Sequence, residues 1–187
     1  MVHSGTKELQ TERLILRRLT IDDTESVYNN WANDDEVTYY LSWSTHKDKN
    51  VTKEVLENWI KNYPNNDFYQ WAIVPKELNE PIGTISVVNK NDDIQMVEIG
   101  YCIGKQWWNK GITSESLNAL INYFFEDINV NRIEAWHDIN NPNSGKVMVK
   151  CGMKYEGTLR QSRKNNSGIS DHAIYGILLL RVRSHFL

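Results

Sequence analysis

The sequence predicts a mixed α/β fold, with one central, mostly antiparallel sheet and helices on both faces. Three observations carry this. Apolar and polar residues alternate through 11–19, TERLILRRL, as in a half-buried strand. Leu117, Leu120, Ile121, Phe124, Phe125 and Ile128 recur at helical spacing. Strand-like and helix-like segments follow one another in the order β-α-α-β-β-β-α-β-α-β-β, which one sheet covered on both sides accommodates.

The elements follow in order. Residues 1–9 read as a flexible lead-in, and 11–19 as the first strand. Asp22 is placed to cap a short helix with Val27, Tyr28 and Trp31 on one face. Residues 33–49 are polar and aromatic and read as a loop with helical turns. The second helix runs to about position 63, with Val51, Val55, Leu56, Trp59 and Ile60 as its stripe, and Pro64-Asn65-Asn66-Asp67 ends it. Strands at 68–74, 82–89 and 94–103, joined by turns at 75–81 and 89–93, form an antiparallel meander. After the third helix comes a strand at 132–139. Asn141 as cap and Pro142 at the first position start the next helix, and Gly152 closes it. Closing strands at 153–162 and 171–182 flank the turn Asn165-Asn166-Ser167-Gly168. No repeat or linker interrupts 1–187, so the chain reads as a single domain.

Composition removes several function classes. The chain has 187 residues, 40% hydrophobic and 24% charged, the mix of a globular domain. Its formal charge of -3 offers no basic field for nucleic acid. No apolar run reaches the roughly 18 residues that span a bilayer; 174–180 is broken by Tyr175 and Gly176. The start, MVHSGTKE, lacks a signal-peptide apolar stretch. Two cysteines, Cys102 and Cys151, make neither a disulfide framework nor a zinc cluster, so a cytoplasmic, metal-free protein is expected. The pattern specifies no oligomeric state.

The most informative segment is WWNKGITSESL, 107–117, between a strand and the long helix. A Gly at a helix start lets backbone approach a ligand, and the first-turn N–H groups with the helix dipole attract an anion. Lys110 adds a charge, and a pyrophosphate fits. By itself a Lys-Gly pair also fits a plain strand–helix loop. Neither GxxxxGK[ST] nor GxGxxG is present, which counts against nucleotide binding.

Residues 93–120, DIQMVEIGYCIGKQWWNKGITSESLNAL, resemble the coenzyme A-binding motif of the GNAT superfamily of N-acetyltransferases, Q/R-x-x-G-x-G/A. Gly111 matches the central Gly; Trp108 stands in place of Gln or Arg, and Thr113 in place of Gly or Ala. Trp at the first position and Glu115 are familiar in the branch of ribosomal-protein N-terminal acetyltransferases, the RimJ/RimL type. Residues 132–160, RIEAWHDINNPNSGKVMVKCGMKYEGTLR, resemble the same branch's Asn-x-x-Ser, Lys-x-Gly-Phe and Glu-Gly-x-x-Arg, with Met153 in place of Phe. The start, TERLILRRLTIDD, the stretch NDDEVTYYL and Asp171 extend the resemblance over nearly the whole chain.

The resemblance implies a splayed sheet in which the fourth and fifth predicted strands part to admit the pantetheine arm of acetyl-CoA. Cys102 and Ile103 would meet that arm by backbone. Trp108, Asn109, Lys110, Gly111, Ile112, Thr113 and Ser114 would surround the pyrophosphate. A backbone N–H near 99–101 would polarise the thioester carbonyl. Approximation of two bound reactants alone contributes roughly 7–11 kcal/mol.

Glu98 is the candidate base, a carboxylate that breaks the apolar run of its strand; the alternative is a solvent-facing Glu paired with an Arg or Lys. Asn141 and Ser144 are the candidates at the thiol end, Ser144 hydrogen-bonding or protonating the sulfur; the alternative is a first-turn Ser that helps cap the helix. Tyr101 and Tyr155 are reserve acids. Cys102 and Cys151 read as structural, and His137 and His172 as scaffold.

Asp34, Asp35 and Glu36 would attract a cationic amine, with Tyr39, Tyr40 and Trp43 shaping its pocket; a solvated acidic loop is the competing reading. The expected function is direct acetyl transfer from acetyl-CoA to a primary amine, on a protein N-terminus or on a small molecule such as a polyamine, amino acid or antibiotic. A coenzyme A-binding module without turnover is the other class.

Overall fold

The computed structural model describes residues 1–179. A short strand β1 (Leu9–Gln10) precedes β2 (Leu14–Arg17). Helical turns follow over 21–32, including α1 (Thr24–Val27), then α2 (Asp35–Thr38) and α3 (Lys49–Asn62). The meander is β3 (Gln70–Pro75), β4 (Gly83–Asn91) and β5 (Met96–Ile103). Then come α4 (Ile112–Glu126), β6 (Arg132–Asp138), α5 (Pro142–Lys150), β7 (Lys154–Asn165) and β8 (Gly168–Leu178).

The sheet order is β1-β2-β3-β4-β5-β6-β8-β7. Every neighbouring pair is antiparallel except β5–β6. That parallel contact is confined to Met96–Glu98 against Arg132–Glu134. Beyond it β5 continues to Ile103 against β4, and β6 continues to Asp138 against β8. The two strands therefore part into a V whose vertex is Glu98.

Strand alternation sends side chains to two layers. Ile99, Ile133 and Ala135 pack with Leu117, Leu120 and Phe124 of α4 and Met148 of α5. On the other face Cys102, Ala72 and Val74 pack with Val27, Trp31 and Leu56. Trp136 and Asp138 alternate with Ala135 and His137, so they face this second layer. Side chains from the two arms of the V are thereby sorted onto opposite faces of the sheet.

Several local expectations are corrected. The lead-in is pinned: Val2 N–H donates to the Ile128 carbonyl at 3.0 Å, and Gly5 N–H to that of Asn66 at 2.6 Å. Arg18 Nε and Trp71 Nε1 also reach the carbonyls of Thr6 and Lys7, so these residues form a strap across the sheet end. Thr20, not Asp22, begins the first helical turn; its N–H donates to Asp23 Oδ2 at 2.8 Å. The α3 stripe is narrower than its pattern, since Leu56 is buried while Val51 and Ile60 are exposed. β5 begins at Met96 rather than 94, because Asn91 Oδ1 accepts the N–H groups of Asp93 and Ile94 and carries the turn further on. Gly152 closes α5 as expected: at φ 81 it lets Met153 N–H donate back to the Met148 carbonyl. The expected end of the last strand, 180–182, lies outside the described residues.

Candidate active site

At the mouth of the V, Gly111 caps α4 with φ 75, a left-handed conformation, and makes no side-chain cap bond. A Cβ here would lie 3.6 Å from Arg13 Nη2 and 3.7 Å from Lys150 Nζ. Strand β2, the helix start and the end of α5 thus bring two cations to the missing side chain, with Lys110 adjacent in sequence. Glu115 holds β2 in place: its Oε1 accepts Arg13 N–H at 3.0 Å and its Oε2 accepts Arg13 Nε at 2.7 Å. Burial would push the Glu115 carboxyl up, but bonds from Thr11 and Arg13 outweigh it and the net shift is downward. First-turn N–H groups, bare backbone and three cations suit a polyphosphate, so the residues present fit coenzyme A.

A cavity of about 660 Å³ fills the V and runs through to the other face of the sheet. Glu98, Asn141, Ser144, Cys102, Ile103 and the loop residues from Trp108 to Ser114 line it, apart from Lys110, which lies in an adjoining depression of about 550 Å³ with Arg13 and Lys150. Trp108 Nε1 donates to the Ile103 carbonyl at 2.9 Å, so this side chain is laid back along the end of β5.

At the middle of the cavity, Asn141 Nδ2 donates to Ser144 Oγ at 3.2 Å. The Asn141 side chain therefore does not cap α5, although the residue holds the cap position. Accepting from Asn141 leaves the Ser144 hydroxyl proton available to donate. Tyr101 OH donates to the Ser144 carbonyl at 3.0 Å, and burial pushes its pKa far up. Tyr155 is exposed and hydrogen-bonds Thr158, away from the cavity.

Burial pushes the Cys102 thiol to about 12 and the Cys151 thiol to about 11, and both cysteines are free. Neither is a ready nucleophile. His137 Nδ1 donates to the Asp138 carbonyl at 2.7 Å. Its Nε2 is buried with no hydrogen-bond partner among the described residues, 2.6 Å from where a Gly145 Cβ would lie.

On the acceptor face, Glu98 is 3% exposed. Arg163 grips it by a fork, Nη1 to Oε1 at 2.6 Å and Nη2 to Oε2 at 3.0 Å. The guanidinium lies 4.1 Å from the Trp136 ring centroid. Arg163 arrives past an irregularity in β7 between Leu159 and Arg163, where Gln161 has φ 47 and gives its N–H to Asp171 Oδ1 at 2.8 Å. Glu98 thus carries an Arg partner, yet lines the cavity instead of facing open solvent.

The acidic cluster is spent elsewhere. Asp34 caps α2 and pairs with Lys105 at 3.0 Å, which also meets Glu36 at 3.4 Å, while Asp35 meets Lys47 at 3.6 Å. None of the three acids lines the cavity; Tyr40 and Trp43 do, whereas Tyr39 does not.

Asp138, Arg163, Trp136 and Trp59 line the acceptor end without having been singled out from the sequence. Polar or aromatic residues on a strand or a helix carry no local mark of such a role. Asp138 is 2% exposed; its Oδ1 accepts from Asn140 and its Oδ2 from Asn165 Nδ2 at 2.8 Å. Burial alone would push this carboxyl up, but bonds from Ser170, Asn140 and Asn165 bring it below its usual 3.8. A carboxyl lowered on folding stabilises the fold above its unfolded pKa and loses that contribution as pH falls through the folded value. The wild-type urea midpoint is therefore expected to fall on acidification below about pH 4. Asp138→Asn is expected to start lower at pH 7 and decline less; a gap between the two that does not change with pH refutes this.

A splayed sheet, with a bare helix start flanked by cations at one end of a through-going cavity and a buried carboxylate at the other, is the arrangement of an acyltransferase. The chain belongs to the GNAT acetyltransferase family: the profile described as "Acetyltransferase (GNAT) domain" matches residues 13–154. It is 31% identical over 170 residues to the uncharacterised N-acetyltransferase p20 of Bacillus licheniformis, covering 91% of this chain and 95% of that one. It is 29% identical over 101 residues to the ribosomal-protein-serine acetyltransferase of Escherichia coli, covering 54% of this chain and 56% of that one. A solved GNAT-family acetyltransferase from Bacillus anthracis superposes with a TM-score of 0.81 at 26% identity, over 92% of this chain and 98% of that one. The protein is an N-acetyltransferase.

Proposed function

We propose that the protein transfers an acetyl group from acetyl-CoA to a primary amine, with a protein N-terminus as the leading acceptor. The observation that carries this is the continuous cavity from Gly111, through the V, to Glu98 on the opposite face. When bound, acetyl-CoA supplies the activated acyl group. Gly111 with the N–H groups of 112–114, and Arg13, Lys110 and Lys150, bind the phosphates. The backbone of Cys102 and Ile103 orients the arm. Glu98 Oε takes the ammonium proton once the acceptor displaces an Arg163 bond. The Ser144 hydroxyl, oriented by Asn141, donates toward the sulfur. The Escherichia coli relative named for a ribosomal-protein serine supports the protein acceptor. The two buried thiols suit the reducing cytoplasm.

The test is calorimetric titration with acetyl-CoA beside ATP and NAD, followed by mass-spectrometric detection of product from N-terminal peptides and small amines. Selective acetyl-CoA binding with peptide acetylation is expected. Binding without any acetylation makes the protein a coenzyme-binding module and sinks the transferase reading; acetylation of small amines alone sinks the N-terminal acceptor.

A further inference from the structure

The acids and bases at the acceptor end stand at different depths. Among the described residues, Glu98 and Asp138 are the carboxylates that line the cavity, and both are buried. Arg163 and Lys164, at the end of β7, line it nearer to solvent: the Arg163 side chain is 38% exposed, and Lys164 is exposed. The Lys164 ammonium has no ion-pair partner among the described residues. An ammonium group therefore finds its carboxylate at the inner end, with two cations further out.

Arrival of the amine frees one donor. A primary ammonium that reaches Glu98 replaces one arm of the Arg163 fork, Nη1 to Oε1 at 2.6 Å or Nη2 to Oε2 at 3.0 Å. The freed guanidinium N–H then needs a new acceptor. The Trp136 ring, 4.1 Å from the guanidinium, offers a π face and no oxygen. Asp138 is already committed. Its Oδ1 accepts Asn140 N–H at 2.9 Å and Asn140 Nδ2 at 3.0 Å, and its Oδ2 accepts Asn165 Nδ2 at 2.8 Å. Asp34, Asp35 and Glu36 meet lysines outside the cavity. No carboxylate lining the cavity remains to receive the freed arm. An anionic oxygen brought by the acceptor fills that place, and a planar guanidinium fork matches a carboxylate.

We propose that Arg163 is a specificity-determining residue that binds a carboxylate carried within a few bonds of the reacting amine. The incoming ammonium takes one arm of the fork's place on Glu98, the incoming carboxylate takes the freed arm, and Lys164 adds its charge beside it. One ion pair thereby opens into two, and no charge is left without a partner. Resting on the acetyltransferase reading above, this names the acceptor chemistry. Two sources carry it: a chain end beginning with Asp or Glu, and a free amino acid. A polyamine brings a second ammonium against Arg163 and Lys164 and is disfavoured.

The experiment measures kcat and KM at saturating acetyl-CoA for two matched pairs. One pair is C-terminally amidated peptides beginning with Asp or with Asn; the other is free alanine and alaninamide. Wild type is expected to favour the carboxylate member in kcat/KM by at least about tenfold, the scale of a charge-assisted hydrogen bond. A preference in the peptide pair assigns the site to chain ends, and one in the alanine pair alone assigns it to free amino acids. Arg163→Gln is expected to bring the ratio to about one, chiefly by raising KM for the carboxylate member, and Arg163→Lys, which keeps the charge without the fork, to retain part of it. A purely structural Arg163 lowers both members of a pair alike and leaves the ratio unchanged. Equal wild-type kcat/KM within both pairs overturns the proposal, even where a variant fails to fold; so does a folded Arg163→Gln that keeps the wild-type ratio. Turnover without charge preference sinks the carboxylate site alone, whereas no turnover of any acceptor sinks the transferase reading and this proposal with it.

Discussion

Gly111→Trp is expected to weaken acetyl-CoA binding at least about 100-fold in calorimetric titration, while Gly111→Ala weakens it by about tenfold or less, roughly 1.4 kcal/mol, its left-handed strain of roughly 1–2 kcal/mol falling on stability. The two variants separate two causes. Both place a side chain on a residue at φ 75 and pay that strain. The Ala Cβ meets Arg13 Nη2 and Lys150 Nζ at 3.6 and 3.7 Å, ordinary contact that leaves the cations in place. An indole extends into the space between those cations and covers the N–H groups that receive the phosphate. Equal binding by Gly111→Trp and wild type, with unchanged unfolding temperature, removes the phosphates from this helix start and with them the direction assigned to the cofactor.

The second large effect is expected at Glu98. Glu98→Gln is expected to lower kcat by about 10²–10⁴-fold, the range for loss of a positioned general base, with acetyl-CoA affinity retained. The substitution also exchanges an acceptor oxygen for an NH₂ group facing the Arg163 fork, so a loss of stability accompanies it. That loss defines the competing account, in which the pair is only a strut across the vertex of the V. A strut predicts a lower unfolding temperature with kcat intact per folded molecule, and predicts that Arg163→Gln behaves alike. A base predicts that kcat collapses in Glu98→Gln, while Arg163→Gln retains a working carboxylate and loses much less. Intact kcat in folded Glu98→Gln sinks the role of base.

Much of the fold was legible because its causes are local. The apolar face of α4, the Gly111 start, the Pro142 opening and the Gly152 close are set by residues within one or two turns of each other, and each stands where the sequence places it. The loop at the mouth of the V was legible for the same reason, since WWNKGITSESL is one continuous stretch. The lead-in was misread because its fixing groups, the carbonyls of Asn66 and Ile128, lie more than 60 residues away. The sequence left the acid cluster at 34–36 open between an amine-attracting site and a solvated loop, because the Lys105 that meets Asp34 and Glu36 lies beyond the meander.

The sequence by itself determined the order of elements and the glycine-started helix that follows β5, since periodicity and capping act between near neighbours. Tertiary structure alone decided the acceptor side. Strand β8 inserts between β6 and β7, and this order carries Arg163 across Trp136 to Glu98, 65 positions away, and Asn166 to the carbonyls of Thr38 and Trp43. No local pattern encodes those meetings, because hydrogen bonds and ion pairs between remote segments form only after the sheet has fixed which strands lie side by side.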